Sequence, residues 1–177
     1  MTTKPQLTFE TTSDTTLQNP FIIRHAIAND IESMVALSRL KRLNYEKAQP
    51  QFWRQAPDAE SQQTTWFNQL LKQDDHFLFV AEANKHIVGF IIGRLREAPE
   101  VYRPGGLTLE IDDFCVESPA QWTTIGGSLL LELKTHAKSK GAVQLLVVCG
   151  AHDAPKAKFL QDHRIVVASE WYVGTIV

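Results

Sequence analysis

Cysteine is scarce in this chain, and so is every pattern that ties cysteine to a metal or a disulfide. Only Cys115 and Cys149 are present. Neither belongs to a C-x-x-C pair, so a disulfide framework is excluded and reduced thiols in a cytoplasmic protein are expected. No cluster of His, Cys and acids has zinc spacing, so no metal is expected. No apolar run approaches the ~20 residues of a membrane-crossing helix, and nothing after Met1 has the apolar stretch of a secretory leader. Basic runs are missing too. With a formal net charge of −2, the chain offers no field that draws it to nucleic acid or an anionic membrane. The glycine patterns G-x-x-x-x-G-K-[S/T] and G-x-G-x-x-G are both absent, which argues against the commonest nucleotide cradles. No internal repeat appears.

What is present is an ordinary globular composition, 44% hydrophobic and 21% charged over 177 residues. That is enough chain for one domain with a core of its own. Residues 1–20 are Thr-rich and aperiodic, and are expected to form a flexible polar tail ahead of a domain over 21–177. In the domain, Phe21–His25 reads as a first strand. Asn29 and Glu32 make a capping-box pattern for a helix whose inner face is Ile31, Met34, Val35, Leu37 and Leu40. An aromatic connection carrying Tyr45, Phe52 and Trp53 leads to a second helix over 58–72. A hairpin follows, His76–Ala81 and Ile87–Gly93, with its turn at Asn84-Lys85.

The stretch from Leu107 to Cys149 organises the rest. Leu107–Val116 is a strand with interspersed acids, Glu117–Ile125 a loop, and Gly126 the start of a helix with Leu129, Leu130, Leu133 and Ala137 on one side. Gly141 ends it as a left-handed cap. Ala142–Cys149 is then an apolar strand parallel to the first. A last helix spans Pro155–His163, and a strand or strand pair is expected over Ile165–Val177. A glycine-containing turn entering a helix presents free N–H groups and the positive end of the helix dipole, the setting a pyrophosphate needs.

The segment Val116 to Leu130 resembles the acetyl-CoA loop of the GNAT acetyltransferase superfamily, whose usual pattern is V-x-P-x-x-[Q/R]-x-x-G-x-G/A-x-x-L. Val116, Gln121, Gly126 and Leu129-Leu130 fall on the pattern, Pro119 lies within one residue of its place, and Thr124 stands at the first glycine. The order of elements from Phe21 onward is also that of these proteins. Glu110 to Val116 and Asp153 to Leu160 look most like the polyamine-acetyltransferase type, with segments E-D-F-F-V and N-E-P-S-x-x-F-Y. The resemblance implies an α/β (α+β) GNAT fold, in which a mixed, mostly antiparallel sheet flanked by helices has its parallel fourth and fifth strands splayed apart. It also implies N-acetyl transfer from acetyl-CoA to a small-molecule or peptide amine, with a homodimer possible. The other reading is a catalytically degenerate module that binds CoA or a protein partner.

Residue by residue, the resemblance puts Asp112 at the general-base position, with Glu110 the alternative on the same strand face unless a bulge intervenes. Both acids have a second reading as solvated or paired structural groups. Main-chain groups near Cys115 and Val116 are expected on pantetheine. Gln121, Trp122, Thr123, Thr124, Ile125, Gly126 and Gly127 are expected on the pyrophosphate side, with Trp122 either over the adenine or packed in the loop. Asp153 either holds the pantetheine arm or caps the last helix. Leu160 replaces the tyrosine assigned to protonate the departing thiolate, a role open to Tyr102 or Tyr172. Glu110, Asp112 and Asp113 together suggest a cationic acceptor.

Overall fold

The structure, a computed structural model, describes residues 20–176. The tail expected over 1–20 therefore lies, apart from Pro20, outside the described residues, as does Val177. A short strand β1 (Ile22–His25) leads through a 3-10 turn into helix α1 (Ile31–Ala48). Asp30 starts this helix: its Oδ2 accepts the Ile27 N–H at 2.8 Å and its two oxygens accept Arg24 at 2.6 and 2.8 Å. The expected Asn29–Glu32 box does not form, because Asn29 is already inside the turn. Ile31, Met34, Val35, Leu37, Ser38 and Tyr45 make the buried stripe of α1. Leu40 falls off that stripe and is 52% exposed, against expectation.

One turn of helix, α2 (Pro50–Trp53), and then α3 (Ala59–Leu70) complete the first helical layer. Strands β2 (His76–Ala83), β3 (His86–Glu97) and β4 (Leu107–Val116) follow, then α4 (Gly127–Ser139), β5 (Ala142–Val147) and α5 (Ala154–Asp162). The sheet is five-stranded in the order β1-β2-β3-β4-β5, antiparallel until the last pair, where β4 and β5 run parallel. Asn84 and Lys85 turn the hairpin with φ of 49° and 66°, and Gly141 closes α4 with φ of 93°.

Side chains alternate across the sheet, and both faces are covered, so the strands read as unbroken apolar runs. Phe77, Phe79, Ile91, Leu109 and Phe114 pack under Leu129, Leu130 and Leu133 of α4. Leu78, Val80, Phe90 and Cys115 pack under Met34, Val35 and Phe67 of α1 and α3. Each such side chain contributes about 1.5–3 kcal/mol by leaving water.

Two irregularities of β4 position everything that follows. Ile92 pairs with Asp113 and Gly93 with Ile111, so Asp112 is the extra residue of a β-bulge. Pairing with β5 also ends there: Ile111 pairs with Val147 and its carbonyl accepts the Val148 N–H at 2.9 Å. From Asp112 to Val116, β4 is paired with β3 alone, and the two parallel strands part. Among the described residues the expected strand after Ile165 is not formed. The final described backbone bond runs from Ile165 N–H to Leu160 O at 2.9 Å, and the β-branched residues beyond it find no partner strand.

Candidate active site where β4 and β5 part

The three acids of β4 occupy three different environments. Glu110 accepts Arg94 Nη2 at 2.8 Å and Arg96 Nη1 at 3.2 Å. Burial pushes its carboxyl up, but the arginine hydrogen bonds outweigh that and hold it below the usual carboxylate range. Asp113 is ion-paired with Lys41 of α1. Burial works against the Lys41 charge, and Asp113 outweighs it, so Lys41 stays firmly protonated. Asp112 has no hydrogen bond or ion pair among the described residues; the residue reaches the surface, but its carboxyl is partly enclosed. Loss of water around its carboxyl, then the charge of Asp113, raise it above the ordinary value, with Lys41 opposing. The bulge explains the separation: Glu110 pairs opposite Arg94 and Asp113 opposite Ile92, both toward α1 and α3, and Asp112 is the extra residue between them. Of the two expected bases, only Asp112 has a free carboxylate.

Asp112 borders a cavity of about 340 Å³. Lys41, Arg42 and Tyr45 of α1 line it, with Phe52 and Trp53 of α2 and Lys156 of α5. The aromatic set is a wall and not a core, since Phe52 is 50% and Trp53 36% exposed. Trp53 meets Tyr45 edge-on at 5.1 Å and Phe52 at 4.7 Å. Tyr45 crosses to the far side of the gap, where its hydroxyl donates to Asp153 Oδ2 at 3.0 Å and accepts the Gly150 N–H at 3.1 Å. Burial, then Asp153, raise its phenol far above the usual value. Asp153 also accepts the Lys156 N–H at 3.3 Å, so it caps α5 and both its oxygens are engaged.

Lys156 is 1% exposed, and its Nζ donates to the Phe114 carbonyl at 3.4 Å, on the part of β4 that β5 has left. The rings of Phe114 and Trp122 lie 5.6 and 6.0 Å from it. With no carboxylate among the described residues paired to it, burial and then Lys41 pull its ammonium below the ordinary lysine value. The neighbouring Cys115 is buried, and desolvation raises its thiol.

The expected loop before α4 is already helical. A 3-10 turn, Pro119–Gln121, starts after Ser118, whose N–H is held by Gln121 Oε1 at 2.9 Å. A π-helical turn, Trp122–Gly126, then runs into α4, and the Gly127 N–H donates to Trp122 O. Trp122 and Ile125 are buried, and Thr123 and Thr124 are the exposed residues of the turn. Gly126 is needed because a Cβ there would lie 2.8 Å from Trp122 Cε3. Its missing side chain thus makes room for Trp122, which packs on Phe114 and Phe159 at 4.8 and 5.1 Å. Thr124 has no positive φ, so threonine at this glycine position of the motif carries no backbone strain.

A parted parallel pair, a bulge at the parting and a π turn leading into α4 form one arrangement, and a family model agrees with it: the acetyltransferase (GNAT) family matches residues 39–163. The chain belongs to the GNAT acetyltransferase family. Comparison with the curated proteins finds no match. Solved structures share the GNAT fold at low identity. A mutant of the BH1408 protein from Bacillus halodurans aligns with TM-score 0.78 and 14% identity, covering 88% of this chain and 99% of that one. A predicted acetyltransferase from Clostridium acetobutylicum, solved with acetyl-CoA, aligns with TM-score 0.67 and 18% identity over 88% and 96%. Glucosamine-6-phosphate N-acetyltransferase from Arabidopsis thaliana aligns with TM-score 0.63 and 18% identity over 90% and 100%.

Among the cavity's side chains, Lys41, Arg42 and the buried Lys156 were not legible as lining residues from motif matching. Helical spacing carries the signal for each. Lys41, Arg42 and Tyr45 continue the stripe of Ile31, Met34, Val35 and Ser38, and Lys156 shares its face of α5 with Phe159 and Leu160. Tyr102 and Tyr172 are exposed at 68% and 88% and are not among the residues lining the cavity. Among the described residues no group of His, Cys, Asp and Glu is placed to hold a metal, and no helix is long and apolar enough to cross a membrane.

Proposed function

We propose that this protein moves the acetyl group of acetyl-CoA to a primary amine by direct attack in a ternary complex. One observation carries the reading: where β4 leaves β5, the bulge residue Asp112 places a free carboxylate in the wall of a cavity of about 340 Å³. The acetyl-CoA-bound relative from Clostridium acetobutylicum and the amine-acetylating enzyme from Arabidopsis thaliana support it by shared fold.

The unpaired length of β4 from Asp112 to Val116 suits an extended, amide-bearing arm, with main-chain groups of Cys115 and Val116 meeting pantetheine and the thioester carbonyl. The phosphates lie against the exposed side of the turn at Thr123 and Thr124, ahead of α4, with Gln121 holding the turn's start. Trp122, Ile125, Gly126 and Gly127 shape that turn, and Asp153 positions Lys156 by capping α5.

In the transfer, the amine nitrogen attacks the thioester carbon, an N–C bond forms and the C–S bond breaks. Asp112 accepts the proton that the amine gives up, and its raised carboxyl is a better base for that purpose than an ordinary one. The leaving thiolate needs a proton. Lys156, whose ammonium burial and then Lys41 hold below the ordinary lysine value, is the donor at hand. A second reading, CoA binding without turnover, is favoured by Leu160 in place of tyrosine and by Lys156 bonding the very edge that pantetheine needs.

Thermal shift with acetyl-CoA and thiol release with a panel of amines test both. Ligand at 100 times its Kd stabilises by about 2.7 kcal/mol. Stabilisation with thiol release is expected. Stabilisation without release from any amine selects the second reading, and no stabilisation contradicts both.

A further inference from the structure

The cavity beside Asp112 is not built for a purely cationic guest. Asp113 is neutralised by Lys41, and Glu110 by Arg94 and Arg96, so of the three acids only Asp112 is unpaired. Against that single carboxylate the wall sets Arg42, Arg54 and Lys156. The potential that draws a ligand in is therefore positive around most of the pocket, the reverse of what the row of acids in the sequence suggests.

Arg42 is the decisive residue. Its Nε donates to Gln55 Oε1 at 3.1 Å, and Gln55 is itself fixed by Glu46 Oε2 at 2.7 Å. The Nε side of the guanidinium is thus held in place. Its Nη1 and Nη2 are buried and have no partner among the described residues. Leaving a charged donor pair buried and unmet is costly, and the fork of an arginine matches two oxygens of one carboxylate or phosphate group. Gln63 Oε1, on the same wall, is also buried without a donor.

We infer that Arg42 is the acceptor's anchor, and that the acceptor is an amine carrying an oxyanion, carboxylate or phosphoryl, which Arg42 holds while the amine faces Asp112. This rests on the acetyl-transfer reading and narrows it to one substrate class. Gln63 then takes a polar hydrogen of the same molecule.

The test uses four amines of similar size: 4-aminobutyrate, phosphoethanolamine, butylamine and 1,4-diaminobutane. One or both of the anionic amines should show kcat/KM roughly 10- to 100-fold above the other two, the range that charge-assisted bonds supply. Which anionic amine leads tells carboxylate from phosphate. In Arg42→Gln that preference should collapse, and in Arg42→Lys return in part. A wild-type preference for butylamine or the diamine overturns the inference without any variant. So does a preference kept in Arg42→Gln of unchanged thermal midpoint. If no amine is acetylated, calorimetry with the same four compounds separates the two failures. Binding of an anionic amine to wild type and not to Arg42→Gln upholds the anchor while transfer fails, and no such binding overturns the anchor as well.

Discussion

The hydroxyl of Tyr45 donates to Asp153 Oδ2 across 3.0 Å and so ties the last turns of α1 to the cap of α5, over the gap between β4 and β5. The same oxygen accepts the Gly150 N–H. Tyr45→Phe removes both partners at once and leaves a backbone donor unmet. Urea unfolding should show a loss of about 1–3 kcal/mol, with the m-value unchanged. A loss within error means that water takes over both bonds and the tie carries no stability.

Lys156 should set stability against activity. Its folded ammonium lies below its ordinary value because of burial, then Lys41. Between the folded and unfolded pKa values the unfolded chain binds more protons, so the cost of this group shrinks, and stability rises, as pH climbs toward about 10.5. Lys156→Met should therefore be more stable at pH 7, by about 1–3 kcal/mol, and should lose that alkaline rise. Its kcat should fall as the thiolate loses its donor. A less stable variant with full kcat contradicts both assignments.

Glu110 should behave as a structural acid. Glu110→Gln breaks the bonds to Arg94 and Arg96, whose half-exposed positions limit the loss to about 1 kcal/mol or less. Because arginine holds the folded carboxyl below its ordinary value, its contribution is complete above the unfolded pKa and disappears as pH falls through the folded one. Acid titrations of wild type and Glu110→Gln should converge at the low end, with kcat/KM at pH 8 equal within twofold.

The turn before α4 yields a paired prediction. Gly126→Val drives its Cβ into Trp122 and should destabilise by about 1–3 kcal/mol whether or not CoA is present. Thr124→Gly relieves no strain, since Thr124 is helical, and should lose about 0.5–1 kcal/mol from helix propensity alone. Tighter acetyl-CoA binding in Thr124→Gly, by calorimetry, contradicts the conformation described for this turn.

Periodicity made the layers legible. The unbroken apolar runs of β2 and β3, the leucines of α4 and Gly141 located the core, and the motif around Val116–Leu130 indicated the family. What periodicity does not carry is a bulge. One extra residue, Asp112, changes which acids share a face, and so Glu110 and Asp112 read as equivalents in the sequence. The π turn was hidden for a similar reason, since a motif aligned to a glycine loop says nothing of how Trp122 packs over Gly126. The region after Ile165 looked like a strand because β-branched and aromatic residues favour one, but pairing needs a partner that residue type alone does not supply.

The central claim is that Asp112, free at the bulge, is the base. The direct measurement is the pH profile of kcat/KM for wild type and Asp112→Asn with one good amine substrate, alongside acetyl-CoA calorimetry. The wild-type rate should rise with pH through an ionisation above the ordinary carboxylate value, as burial and Asp113 dictate. Asp112→Asn should lose that limb and about 10²–10⁴-fold in rate, recover as free amine becomes abundant at high pH, and bind acetyl-CoA as wild type does. A variant with the wild-type rate and the same acid limb contradicts the account.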